Sequence, residues 1–313
     1  MLTEPKPSSF AAGLTVTDTA PEPGPDGQAG LTDVMAGAIR REIRVHDHGF
    51  VALVDAMPRL VPTGQTADQA IVQAARVSYG VGTKKVNEDR GLIRYLLRHR
   101  HTTPFEMVEF KFHCAMPIFI ARQWIRHRTA NVNEYSARYS VLPDRFYKPP
   151  ADEVRKQSAS NRQGGEEHFD AADPEQVASA QDFLAYLDQV EGNYKTYEGL
   201  LEKGVSRELA RIGLPVSMYT EWYWKCDLHN ILRFLSLRLD PHAQREIRDY
   251  AQAMAALIEP IVPVTMEAWR DYELEAMHLT RLEIEAIKAG GELASQNKRE
   301  RAEWDAKKAK LGL

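Results

Sequence analysis

Between residues 122 and 138 the chain reads Arg-Gln-Trp-Ile-Arg-His-Arg-Thr-Ala-Asn-Val-Asn-Glu-Tyr-Ser-Ala-Arg. Four arginines, one histidine, one glutamate and three side-chain amides fall in these seventeen positions, directly after an apolar stretch. So dense a set of hydrogen-bond donors suits a planar, polar, anionic ligand, because each guanidinium offers a rigid fork that matches phosphate or carboxylate. A solvated helix face would more often alternate Lys and Glu. Two readings stand at this point: a ligand site and a basic surface.

The elements that must carry this segment are legible on either side of it. Val108, Phe110, Phe112, Cys114 and Met116 are apolar while Glu109, Lys111 and His113 between them are polar, the period-two pattern of a half-buried strand. Pro117 suits the first turn of a helix whose apolar stripe is Ile118, Ala121 and Ile125. Gln123 and Arg126 are three apart and share another face of it, so chemistry starts on a helix and passes into a loop near Asn131–Asn133. Upstream, 50–54 reads as a short strand, and 67–79 and 88–99 read as helices, the second capped by Asn87 with Leu92, Leu96 and Leu97 inward. Downstream, 176–203 and 206–213 read as helices. Asp227 caps another with Leu228, Ile231, Leu232, Leu235 and Leu239 facing the core, and Asp240-Pro241 ends that helix and starts the next. The result is an α+β domain with one sheet and many helices.

The whole chain sets limits on function. Its 313 residues suit one large domain or two small ones, and the hydrophobic and charged fractions are those of a globular protein. A net charge of −4 gives no global positive field for nucleic acid or anionic membrane. No apolar run approaches the ~20 residues of a membrane helix. Two cysteines, Cys114 and Cys226, without a CxxC pattern, suggest no disulfide framework and fit a reducing cytoplasm. Residues 1–40 are expected to be a disordered extension, since 1–30 are rich in small and turn-forming residues without apolar periodicity; a transit or signal peptide is not indicated. Residues 151–175 read as an exposed insertion, and 279–313 as a charged surface helix fraying into a polar tail.

Arg126-His127-Arg128, seven residues, then Ser136 resembles the signature of the flavin-dependent thymidylate synthases. His101-Thr102-Thr103-Pro104-Phe105-Glu106, the segment 117–124, Arg207-Glu208-Leu209-Ala210-Arg211 and Leu235-Ser236-Leu237-Arg238 resemble further family segments, in order, over about residues 45–275. The resemblance implies an α+β fold with a central, mainly antiparallel sheet flanked by helices and a largely helical second half. The oligomer it implies is a homotetramer whose sites are shared between subunits. It also implies conversion of dUMP to dTMP, with a one-carbon unit from 5,10-methylenetetrahydrofolate, a hydride from reduced FAD, and NADPH reducing the flavin. Carried over by motif, Gln123, Arg126, Glu134, Ser136, Arg138, Arg211 and Arg238 would hold dUMP. Thr103, Arg126, His127, Arg128, Asp227, His229 and Arg233 would contact FAD. Arg238, Ser136 and His101 would serve catalysis, His101 beside the flavin. Asn131 stands near where the family often has serine, and Asp227 and Arg233 stand where some members have Asn.

The chemistry of these residues agrees. A nucleotide phosphate needs several donors, which Arg138, Arg211 and the Ser136 hydroxyl could supply. Methylation at C5 of uracil builds charge on the ring, and a preorganised Arg238 could stabilise it. Neither cysteine has the setting of a nucleophile: Cys114 falls on the apolar face of a strand, and Cys226 abuts a helix start that could lower its pKa. His46-x-His48 and His99-x-His101 lack a completing carboxylate or cysteine cluster, so no metal is expected. Trp222, Tyr223 and Trp224 read as core or subunit interface, Glu109 as solvated, and Lys84-Lys85 as an exposed turn within possible reach of the flavin phosphates. A nucleotide- or RNA-binding module built on Arg122–Arg128 would purify colourless and bind in a steeply salt-dependent way. A different flavoenzyme or a nucleotide hydrolase is the other rival, but no P-loop or GxGxxG pattern is present.

Overall fold

The computed structural model describes residues 10, 13, 15–18, 30–36, 41–77, 89–158 and 164–312. The Asn87 cap and the Lys84-Lys85 turn lie outside them. Two compact units emerge, Met1–Trp269 and Arg270–Leu313.

Strands in the first unit are β1 (Thr15–Asp18), β2 (Leu31–Asp33), β3 (Arg41–Val45), β4 (Gly49–Met57), β5 (Leu60–Pro62), β6 (Glu109–Pro117), β7 (Asn131–Glu134), β8 (Arg155–Gln157), β9 (Gly165–His168) and β10 (Tyr219–Asp227). Its helices are α1 (Asp68–Val77), α2 (Asp89–Arg98), α3 (Ile118–Trp124), α4 (Pro174–Glu191), α5 (Asn193–Glu202), α6 (Arg207–Ala210), α7 (Leu228–Arg238), α8 (Arg245–Ile258) and α9 (Pro263–Trp269). One six-stranded sheet in the order β1-β3-β4-β6-β10-β7 forms the centre, antiparallel at every pairing.

Alternation along β6 decides which face of this sheet is core. Phe110, Phe112 and Cys114 are fully buried, and register sets them beside Cys226, Trp224 and Trp222 of β10. Helices α3, α7 and α8 supply the facing layer. Trp124 stacks on Phe234 at 4.9 Å between ring centroids and meets Trp222 and Trp224 edge-on at 5.5 and 5.8 Å. Such geometries favour aromatic pairs beyond their area burial. On the opposite face Tyr223 stacks on His113, and Lys225 pairs with Glu109 at 2.7 Å. Trp222 and Trp224 are therefore core, Tyr223 remains exposed, and Glu109 is ion-paired rather than simply solvated.

A second, smaller core anchors the loop that follows β7. Ala137, Leu142 and Phe146 pack with Tyr194, Tyr197, Ala210 and Met218. The Tyr194 hydroxyl donates to Leu142 O at 2.6 Å, and Tyr135 N donates to Glu221 O at 2.8 Å. Residues 135–147 are thus tied to the sheet on one side and to α5 on the other.

Several expectations are corrected. The 1–40 segment is not featureless where described, since β1 pairs with β3 and β2 with β5. Asn131–Asn133 are not a loop but part of β7, paired to β10 from Lys225 to Trp222. Pro117 does not open the helix. It ends β6 in extended conformation, and Ile118 N bonds to Met218 O. α3 stops at Trp124, so Arg126 lies beyond it rather than on a shared helical face with Gln123. Pro241 does not start the next helix either, because the Asp240 carboxylate captures His242 N at 2.8 Å and holds a turn until Arg245. Gly192 divides 176–203 into α4 and α5, and 206–213 yields α6 followed by a 3-10 turn, Arg211–Gly213. Within 151–175, β8 pairs with β9 and Pro174 already begins α4.

The second unit overturns the fraying tail. α10 (Arg281–Ala289) opens on a Thr280–Glu283 capping box and ends at Gly290 in the left-handed region, φ 62°. α11 (Lys298–Leu311) is capped by Asn297. Ala286, Leu293 and Trp304 form a small core, across which Lys307 reaches the nearly buried Glu283 at 2.8 Å.

Candidate functional site

Helix α3 is fixed by Trp124 in the core, which sets the position of everything just after it. His127 N donates back to Trp124 O at 3.0 Å, so the Arg126-His127-Arg128 turn stands at the rim of the core. The C-terminal end of α7 arrives beside it. Arg238 Nε donates to His127 Nε2 at 3.0 Å, and Arg238 Nη2 donates to Gln123 O at 3.3 Å. The His127 ring sits edge-on to Phe234 at 4.9 Å. Gln123, His127 and Arg238, expected from sequence, are brought together.

Electrostatics here are distinctive. Burial first, then the Arg238 and Arg233 charges, lower the His127 pKa from 6.5 to about 4. Burial also lowers that of Arg238. Unfolding restores an ordinary imidazole, so between pH 6.5 and 4 the unfolded chain binds the extra proton. The His127 contribution to stability is therefore complete above pH 6.5 and is lost as pH falls toward 4. We expect denaturation midpoints of wild type to drop more between pH 7 and pH 5 than those of His127→Gln; equal drops would contradict it.

The remaining residues surround this centre less tightly. Glu134, at the end of β7, accepts from Thr220 Oγ1 at 2.8 Å. Ser136 Oγ accepts from Arg138 N at 3.3 Å, and Arg138 Nε lies 3.5 Å from Glu208 on α6, with Arg211 on the next turn. Arg126, Arg128 and Arg211 make no side-chain hydrogen bond or ion pair among the described residues, leaving their forks available for anionic groups. Asp227 caps α7 by accepting from Asn230 N at 2.9 Å, and His229 follows in the first turn. Leu228 N bonds to Val108 O, which places that end of α7 next to the 3-10 turn Thr103–Met107. His101 is exposed and packs only loosely, 6.0 Å from Tyr95.

The expected flavin residues therefore divide. Thr103, Asp227 and His229 gather at one end of α7; His127 stands against the helix's other end, with Arg126 and Arg128 in the same turn. At ~1.5 Å per residue, Asp227 and Arg238 are roughly 16 Å apart.

A cavity of about 940 Å³ in this unit lies elsewhere, among Phe119, Tyr147, Phe169, Phe183, Gln244 and Arg245, and none of the expected residues lines it. It meets the site at Gln244, whose Oε1 accepts from Gln123 Nε2. Sequence reasoning missed Gln244, and no signal marked it: it is a polar residue before a helix, given meaning only by the approach of α3.

Both thiols are buried, and burial raises them, Cys226 to about 12 and Cys114 further. The helix start beside Cys226 does not lower its pKa, because burial dominates and Asp227 adds to it. No group of three or more potential metal-ligating side chains occurs among the described residues. No helix among them is long and apolar enough to cross a membrane.

Residues 59–264 match the family model described as thymidylate synthase complementing protein. A flavin-dependent thymidylate synthase of Dictyostelium discoideum is 70% identical over 279 residues, 89% of this chain and 90% of that one. One from Gluconobacter oxydans is 50% identical over 268 residues, 84% of each. Among solved structures, a UMP/dUMP methylase, PolB from Streptomyces cacaoi bound with 5-Br dUMP, superposes with TM-score 0.61 at 33% identity over 74% of this chain and 98% of that one. The clustered guanidiniums, the buried aromatic layer that places them and these likenesses lead to one assignment: the chain belongs to the flavin-dependent thymidylate synthase family.

Proposed function

We propose that the protein methylates dUMP to dTMP, with 5,10-methylenetetrahydrofolate as one-carbon donor, FAD as bound cofactor and NADPH as reductant. It acts as a cytoplasmic homotetramer with sites completed by neighbouring subunits. The observation that carries the reading is the Arg238 guanidinium held by His127 and Gln123 O, with Arg126 and Arg128 in the His127 turn unpaired among the described residues. Unpaired forks of this kind fit the flavin pyrophosphate and the nucleotide phosphate.

In this proposal Gln123, Arg126, Glu134, Ser136, Arg138, Arg211 and Arg238 bind dUMP. Thr103, Arg126, His127, Arg128, Asp227, His229 and Arg233 bind FAD, with His101 beside it. FAD, once reduced, supplies the hydride. The chain's own contribution is to orient the pyrimidine, exclude water and place a cation where ring charge develops. A thiolate nucleophile has no part, which the burial and raised pKa of Cys114 and Cys226 support. The catalytic domain of this proposal spans 41–278.

Purified protein should be yellow, should oxidise reduced flavin only with dUMP and the folate present, and should form dTMP. A protein that cannot be reconstituted with FAD would refute the reading. Ser136→Ala should give partial loss, on the order of 1–3 kcal/mol in kcat/KM, because Ser136 donates to phosphate rather than attacking carbon. Complete loss in a folded, yellow variant would point to a nucleophile instead.

A further inference from the structure

We infer that His127 is a positioning residue for Arg238: its imidazole Nε2 accepts the Arg238 Nε–H and fixes which edge of the guanidinium is left for substrate. The inference rests on the proposed placement of Arg238 against the pyrimidine, and goes beyond it by giving His127 a second duty besides flavin contact.

Donor inventory carries the argument. A guanidinium has five N–H donors and no acceptor, so at 3.0 Å the His127 Nε2 must present a lone pair. The ring proton is then on Nδ1 and the imidazole is neutral. The low pKa of His127, caused by burial and by Arg238 and Arg233 on α7, agrees with a ring that stays neutral at physiological pH.

Arg238 is held along one side only. Nε goes to His127 and Nη2 to Gln123 O, which are the two donors of the guanidinium's side edge. Three N–H groups remain, and the terminal Nη1/Nη2 edge can still meet two coplanar acceptors such as those of an anionic uracil ring. The acceptor that sets this choice is itself held by its neighbours. The His127 ring is edge-on to buried Phe234, and its backbone N–H is bonded to Trp124 O at 3.0 Å. A neutral ring also avoids setting a further cation against Arg238 while the cationic partner needed for ring charge stays preorganised.

The test uses holoenzyme and three variants, His127→Phe, His127→Gln and Arg238→Ala. Phe keeps the packing on Phe234 but offers no acceptor, whereas Gln returns an amide oxygen within reach. Assayed at saturating FAD, His127→Phe should lose roughly ten- to hundredfold in dUMP kcat/KM, the scale of a hydrogen bond to a charged group. His127→Gln should recover most of that loss. In an Arg238→Ala background, His127→Phe should not weaken dUMP binding further. The ¹⁵N shifts of His127 should report the Nδ1–H tautomer at pH 7. A loss in kcat/KM that Gln does not recover at saturating FAD, additive losses in the double variant, or an Nε2–H or charged ring would each overturn the inference. Should wild type form no dTMP, the proposed function fails separately, and the tautomer still decides the role of His127.

Discussion

Arg238→Ala should reduce dUMP methylation by at least 10²–10³-fold, the cost of removing one preorganised donor from developing charge, ~2.7–4 kcal/mol. Flavin content should be nearly unchanged, because the arginines proposed for the flavin, Arg126, Arg128 and Arg233, do not depend on Arg238 for a partner. The variant also leaves His127 Nε2 without its donor, in a half-buried position. A modest change in stability can therefore accompany the loss of turnover without explaining it. Arg238→Lys is the sharper control. Lysine keeps the charge but cannot bond to His127 and Gln123 O along one edge while presenting a second edge to the pyrimidine. It should be nearly as inactive as alanine. Single-turnover oxidation of the reduced flavin by dUMP and folate distinguishes the cases, and turnover of Arg238→Ala within tenfold of wild type would remove the residue from its assigned place.

What could be read beforehand follows a physical division. Elements whose own side chains decide their state were legible: β6 through the alternation from Phe110 to Cys114, and α7 through its Asp227 cap and leucine stripe. Elements decided by a neighbour were not. β7 is made of Asn, Val, Asn and Glu, a poor strand by propensity, and exists because β10 offers an unpaired edge. α11 has almost no apolar face, and its order comes from Trp304 packing with Ala286 and Leu293. The same division applies to the site. Arg126, His127 and Arg128 announce themselves by density, and Arg238 by a family-like segment. Their mutual arrangement, with Arg238 Nε on His127, depends on how α7 crosses α3 over the sheet. Spacing of 111 residues cannot encode that contact in any local pattern.

That dependence makes Trp124 the residue whose loss should cost the most stability. Its indole is fully buried and touches Trp222, Trp224, Phe234 and Tyr250, joining the sheet to α7 and α8. Truncation to alanine removes this contact surface and leaves a cavity that rigid aromatic neighbours cannot fill, so Trp124→Ala should destabilise by ~3–5 kcal/mol. Trp124→Phe should cost much less. It retains stacking on Phe234, and it removes an indole N–H that has no hydrogen-bond partner among the described residues. Tyr223→Ala, one strand position from the same cluster but on the exposed face, should change stability by less than about 1 kcal/mol. Urea denaturation of the three variants gives the ordering directly. Activity adds a second measure. Gln123 precedes Trp124, and His127 is bonded to its carbonyl, so a folded Trp124→Ala fraction should still lose dUMP affinity. A variant that unfolds within 1 kcal/mol of wild type would show that the site does not depend on this ring for its placement.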